Sequence, residues 1–215
     1  MKRGLLVTLE GGEGAGKSTV LAAIRRTLED AGVAFRTTRE PGGTPLGEAL
    51  RALVLDPRFA SLCPETEVLM MFASRAQLVR ELVQPTLAAG EWVVSDRFTD
   101  ASFAYQGGGR GLPPAILDEL ERWAVAGLKP HRTFLLDVPP AVGLARIAGR
   151  DSHRDRMESE SLAFFERVRA AYRARAAAEP QRFVVVDATQ PAEVVAQVVS
   201  HELAALARAW REDTA

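Results

Sequence analysis

A chain of 215 residues, 47% hydrophobic and 26% charged, has the length and composition for one α/β domain with an ample core, expected to span 1–215. Its net charge of −1 lacks the basic surplus with which a nucleic-acid binder neutralises phosphates. Cys63 is the single cysteine, so no intramolecular disulfide forms, and no apolar run approaches the roughly 18–20 residues of a bilayer span; a cytoplasmic protein is expected.

Leu5-Leu6-Val7-Thr8-Leu9 opens a buried strand at 5–10. The next eight residues, Gly11-Gly12-Glu13-Gly14-Ala15-Gly16-Lys17-Ser18, fill the pattern G-x-x-x-x-G-K-[ST] completely, and a helix is predicted at 17–30. A strand, a glycine-rich loop and a helix N-terminus in that order aim backbone N–H groups and a positive dipole end at an anion. Lys17 is placed for the β- and γ-phosphates and the Ser18 hydroxyl for Mg²⁺. Of the 27 lysines and arginines only Lys2, Lys17 and Lys129 are lysine, and one stands where the motif demands it. The implied ligand is a nucleoside triphosphate, bound by Gly11, Gly12, Glu13, Gly14, Ala15, Gly16, Lys17, Ser18 and Thr19.

Strands and helices alternate beyond this point: strand 34–38, helix 45–54, a long helix 65–88, strand 92–96, helix 113–125, strand 132–137, helices 140–148 and 159–178, strand 183–187 and helix 191–210. Trp92-Val93-Val94-Ser95 and Phe183-Val184-Val185-Val186 are apolar on both faces, the mark of a parallel sheet covered by helices. Ligands of such sheets lie at the carboxyl ends of the strands, which puts Glu10, Arg39, Asp96 and Asp137 along one rim with the phosphate loop. The Gly- and Pro-rich interruptions 39–45 and 106–114 are expected to line that rim too. The most charged segment, 146–160, reads either as a mobile flap or as a solvated helix junction.

Asp96, Asp137 and Asp187 each end a strand, and any of the three could hold the Mg²⁺ shell. Asp96 is favoured because Arg97 follows it, setting a metal-facing carboxylate beside a phosphate-facing guanidinium. No Asn-Lys-x-Asp segment marks a GTPase. What remains is a compact kinase with Arg39, Arg51, Arg75, Arg97, Arg146, Arg150, Arg154 and Arg156 around its rim. A triphosphate and an anionic acceptor need this many cations, because two polyanions repel strongly at about 4 Å in a water-poor cleft.

Taken in order, five segments closely resemble bacterial thymidylate kinase, of the nucleoside-monophosphate kinase family of P-loop proteins. They are 10–19, Thr38-Arg39-Glu40-Pro41-Gly42-Gly43-Thr44-Pro45, Phe72-Ala73-Ser74-Arg75-Ala76-Gln77, Asp96-Arg97-Phe98 and Ala104-Tyr105-Gln106-Gly107-Gly108-Gly109-Arg110. The resemblance implies a three-layer α/β fold: a five-stranded parallel sheet, helices on both faces and a lid at about 146–160. It implies transfer from ATP to dTMP with Mg²⁺, by a homodimer; the charge and hydropathy above make a nucleic-acid or membrane partner unexpected. It also implies that Phe72 stacks on thymine, that Arg75 hydrogen-bonds the base, and that Arg39 and Arg97 hold the dTMP phosphate. Glu13 would meet the sugar 3′-hydroxyl or a metal-bound water, and Ser102, Tyr105 and Gln106 would contact the base and crowd the 2′ position. Because Gly14 or Ala15 stands where one branch of the family carries a catalytic arginine, the chain resembles the branch whose lid arginines reach over ATP. The expected catalytic residues are then Lys17, Arg97, Arg150, Arg154 and Arg156, with Ser18 and Asp96 at the metal.

Overall fold

The computed structural model describes residues 2–148 and 155–212. Five strands, β1 (Leu6–Gly11), β2 (Phe35–Arg39), β3 (Trp92–Asp96), β4 (Arg132–Asp137) and β5 (Phe183–Asp187), form one parallel sheet in the order β2-β3-β1-β4-β5. Each strand boundary lies within one residue of the sequence expectation. The apolar runs are strands because side chains alternate between two covered faces. Val7, Leu9, Trp92, Val94, Phe134 and Leu136 pack against α1 (Lys17–Asp30) and α9 (Ala192–Glu212). Leu6, Val93 and Leu135 point the other way, toward α3 (Pro64–Leu78), α6 (Pro114–Val125) and α8 (Leu162–Ala178). Three layers result, as expected, and each fully buried Leu or Ile contributes about 1.5–3 kcal/mol relative to an exposed one.

Local signals set the helix starts. Thr44 accepts the Gly47 N–H at 3.0 Å ahead of α2 (Pro45–Leu55), whose first residue is a proline. Ser161 does the same for Phe164 at the head of α8, at 3.2 Å. The helix expected at 65–88 is not uniform: after α3 comes a π turn, Val79–Val83, and then α4 (Gln84–Ala88). Pro85 has no N–H and its ring crowds the carbonyl four residues back, so the turn before it widens.

A second difference lies at 106–114. After α5 (Thr99–Ser102) the chain makes a π turn over Phe103–Gly109 instead of running straight into a loop. Its glycines permit close packing. A Cβ at Gly108 would sit 2.6 Å from the Ala171 Cβ, and one at Gly109 would sit 2.5 Å from the Phe164 ring. With hydrogen in place of a side chain, α8 lies directly on this turn and holds Tyr105 and Gln106 inside.

Candidate active site

The carboxyl ends of β1, β2 and β3 meet at one cleft, because Leu9 and Arg39 are both register partners of Asp96. From the β1 end, the loop enters α1 through Gly16, whose φ is +88°, and no side chain caps the helix. Its first N–H groups therefore face an incoming anion. The Lys17 ammonium bridges the Gly11 and Gly12 carbonyls at 3.1 and 3.2 Å. Burial lowers its pKa, and Arg97 adds to that effect.

Arg97 is a non-glycine residue at φ +72°, in the left-handed region. Three bonds hold it there. Its N–H donates to Leu9 O at 3.0 Å, its carbonyl accepts from Ser95 Oγ at 2.6 Å, and the next N–H, of Phe98, donates to Glu10 Oε1 at 2.7 Å. The guanidinium thus reaches back over the loop to Glu13 Oε1 at 2.6 Å and Tyr105 Oη at 2.8 Å, and Tyr105 donates to Glu13 at 2.9 Å. Burial alone would raise the Glu13 pKa, but the charges of Arg97 and Lys17 outweigh it and hold the carboxyl at about 2. Glu13 is ionised at neutral pH and only accepts.

On the far side of Arg97, Arg75 is fully buried. It donates to Glu40 Oε2 at 2.6 Å, Ser102 Oγ at 3.0 Å and Phe98 O at 3.1 Å, with its guanidinium 4.5 Å from the Phe72 ring centroid. The Gln106 Nε2 donates to the buried Glu67 Oε1 at 2.9 Å. Among the described residues, six buried side-chain polar atoms have no partner, and four of them belong to Glu40, Asp96, Arg97 and Gln106. Unpaired polar atoms are rare in protein interiors, so their convergence on one region marks it as built for a ligand.

The family model for thymidylate kinase matches residues 9–199. A thymidylate kinase of Halorhodospira halophila is 53% identical over 199 residues, covering 92% of this chain and 93% of its own. Those of Nitrosomonas europaea and Marinomonas sp. are 55% and 47% identical, over 88% and 98% of this chain and 87% and 99% of their own lengths. The chain belongs to the thymidylate kinase family.

Within that family frame, the structure gathers most of the expected residues and relocates one. Glu13 through Ser18 line the cleft together with Arg39, Asp96 and Arg97. Gly11 and Gly12 supply the carbonyls that seat Lys17, and Thr19 lies in the first turn of α1. Phe72, Arg75, Ser102, Tyr105 and Gln106 form a buried group behind the cleft. Arg156, expected over ATP, does not line the cleft. It is buried, donating to Val54 O at 2.7 Å and to Glu67 Oε2 at 2.6 Å. A fully buried carboxylate demands a cation, and Glu67 takes this one. Neither Arg156 nor Met157 is a solvated junction, while Arg150 and Arg154 lie outside the described residues.

The remaining residues named from the sequence divide between the cleft and its surroundings. Arg51 lines the cleft, donating to Pro41 O at 3.0 Å; burial lowers its pKa, and Arg39 adds to the effect. Its signal was there, one of many rim arginines. Glu10 is not on the open rim but beneath it, fully buried and accepting from Tyr172 Oη at 2.7 Å. Burial, with Asp100 second, raises its pKa to about 8. Asp137 turns away to Arg169 at 2.7 Å, and Asp187 caps its own strand by accepting the Thr189 N–H at 2.9 Å. A second hollow flanks the phosphate loop, lined by Gly14, Ala15, Arg146, Thr189 and Gln190. Arg146 fixes it by donating to Ala188 O at 2.9 Å.

Proposed function

We propose that this chain phosphorylates dTMP with ATP, giving dTDP and ADP, through the site just described. Family membership over nearly the whole chain carries the reading. The γ-phosphate of ATP lies on the loop N–H groups and Lys17, and the acceptor phosphate faces it on Arg97, Arg39 and Arg51. Their charge offsets the repulsion between two anions and the charge that spreads over the transferring oxygens. Glu13, held ionised, accepts from the sugar 3′-hydroxyl, and Tyr105 fills the space a 2′-hydroxyl would need. The thymine ring lies on Phe72 beside Arg75, Ser102 and Gln106. Gly14, Ala15, Arg146, Thr189 and Gln190 border the hollow that takes the nucleoside end of ATP.

Mg²⁺ fits the donor set. Asp96 Oδ1 is buried without a partner and the exposed Ser18 hydroxyl lines the same cleft. One or two protein oxygens suffice for a metal that keeps its waters and phosphate ligands. Bound there, it would neutralise phosphate charge and orient the donor. Arg150 and Arg154 remain the arginines expected to close over ATP.

The whole chain, 1–215, acts as one kinase domain, and it works in the cytoplasm; among the described residues no helix is long and apolar enough to cross a membrane. A homodimer is supported by Leu53 on α2, Leu69 on α3 and Ile116 and Trp123 on α6, exposed by 45%, 56%, 46% and 79% on helices of which α3 packs against both others. Release of ADP from Mg·ATP, measured against dTMP, its ribose analogue, dUMP, dCMP and dAMP, tests the activity. The highest kcat/KM is expected with dTMP and a poor one with the ribose analogue. No ADP with any acceptor, or a better acceptor than dTMP, refutes it.

A further inference from the structure

Glu67 touches none of the groups assigned above to ATP, yet four donors converge on it. Oε2 accepts from Arg156 Nη2 at 2.6 Å and Arg110 Nη2 at 3.0 Å, and Oε1 accepts from Gln106 Nε2 at 2.9 Å and Arg110 Nε at 3.3 Å. The other edge of Arg110 meets Glu160 Oε1 at 2.5 Å. A buried ion cluster of this kind stabilises no better than apolar packing of the same volume, so its presence calls for another reason.

The reason lies in the amide. An ionised carboxylate has acceptors only, so the Gln106 atom that faces it must be the NH₂ group. Rotating the amide by half a turn would set carbonyl against carboxylate. The Gln106 carbonyl is therefore committed to the opposite side, where Oε1 is buried without a protein partner. Such an oxygen asks its ligand for a donor. Thymine and uracil carry N3–H, whereas cytosine presents a bare, accepting N3.

We propose that Glu67 is a specificity-determining positioning residue: by accepting the Gln106 Nε2–H it fixes the amide as a hydrogen-bond acceptor for the base and selects a pyrimidine that donates at N3 over one that accepts there. This rests on the placement of Gln106 at the base in the function proposed above. Selection against cytosine is thus built one residue behind the pocket, in a carboxylate that two arginines keep ionised.

The test is the ratio of kcat/KM for dTMP to that for dCMP in Glu67→Gln. The side-chain amide introduced by that substitution both donates and accepts, so the Gln106 amide is free to turn. The ratio is expected to fall by roughly tenfold or more, with dCMP use rising in absolute terms and the KM for ATP unchanged within about twofold. Arg110→Lys, which leaves Glu67 and Gln106 in place, is expected to lower the melting temperature and keep the ratio. Glu67→Asp keeps the charge but draws it back by one methylene; should Glu67→Gln fail to fold, a ratio lowered by about threefold or more in this variant supports the proposal. A ratio unchanged within about twofold in whichever variant folds overturns it, whatever happens to stability. Gln106→Met separates the premises: if it also leaves the ratio intact, the base placement falls and the inference with it. If Gln106→Met lowers the ratio and the Glu67 variants do not, this inference alone is wrong.

Discussion

The two halves of the cleft are built on opposite plans. The phosphate loop is contiguous, 11–18, and presents backbone N–H groups and one ammonium that meets only loop carbonyls among the described residues. The acceptor half is assembled from residues 40, 67, 75, 97, 102, 105 and 106, whose charges are already paired: Glu40 with Arg75 and Glu67 with Arg110 and Arg156 in the interior, and Arg97 with Glu13 of the loop at the cleft wall. A triphosphate is an extended anion that many N–H groups recognise together. A nucleobase and one phosphate need directional partners, and these must be positioned beforehand. The first half tolerates loss of a side chain in the fold but not in the reaction; the second depends on its pairs for both.

The largest effect that contrast predicts is on the fold itself. Arg75→Ala leaves Glu40 buried with no cation, and the Arg75–Glu40 side chains are only 0% and 1% exposed. Breaking a buried pair from one side costs about 3–5 kcal/mol. For a chain of this size that lowers the melting temperature by roughly 6–20 °C, which thermal unfolding reads directly. A shift under a few degrees would mean that the acceptor half is not held together by its pairs.

Lys17→Ala should do the reverse: a drop of about 10²–10³ in kcat, the range for removing one preorganised charge donor, with melting temperature and dTMP affinity nearly unchanged. Arg97→Ala comes next, raising the KM for dTMP roughly 10- to 100-fold, as expected for a charged hydrogen bond, and the KM for ATP far less. Steady-state kinetics in both substrates separate the two. If the Arg97 variant keeps its dTMP kinetics, the acceptor phosphate lies elsewhere.

Legibility in the sequence follows the same division. β1 and β3 were readable because both faces are buried, which makes them largely apolar runs, whereas the edge strand β2 has one apolar residue and no buried one. The loop was readable because its chemistry is local. Phe72 and Arg75 were readable as neighbours because three residues bring a helix round to the same face. The π turn at Phe103–Gly109 was not, since it depends on how closely α8 approaches, and α8 begins more than fifty residues later. Arg156 was misread for a related reason. It was expected to reach over ATP with the other arginines of 146–160, whereas its partner Glu67 lies 89 residues away. One-dimensional charge says how many arginines a chain has, not which of them are already taken.

Glu10 and Glu13 carry the comparison into pH, with a smaller effect. Glu13 titrates at about 2 when folded, below the ordinary 4.5, so its contribution is present above 4.5 and fades on acidification toward 2. Glu10 does the opposite. Its folded carboxyl titrates at about 8, raised first by burial and next by Asp100, with Tyr172, Phe98 and Arg97 opposing. Between 4.5 and 8 the folded chain holds a proton that the unfolded chain has released, so stability declines as pH rises through that window. Glu10→Gln removes the decline. Its melting temperature relative to the unsubstituted protein should climb steadily from about pH 5 to about pH 8, and a flat difference would place the titration elsewhere.

The smallest effect belongs to an arginine–glutamate pair close to the buried one. Arg39 donates to Glu48 Oε2 at 2.9 Å, but these side chains are 54% and 43% exposed, so water screens the pair. Such pairs contribute about 0–1 kcal/mol, and Glu48→Gln should leave the melting temperature within a few degrees. Its consequence is kinetic. Glu48 lowers the positive charge that Arg39 offers the cleft while also accepting from Gly43 N at 2.8 Å, a contact the glutamine amide keeps through its oxygen. Neutralising Glu48 therefore strengthens the field at the acceptor phosphate without moving the loop. The KM for dTMP should fall by about twofold to fivefold at low salt, and the gain should vanish as ionic strength rises past the point where the screening length drops below about 10 Å. If the KM is unchanged at low salt, Arg39 does not face the acceptor phosphate, and the acceptor half relies on Arg97 and Arg51 alone.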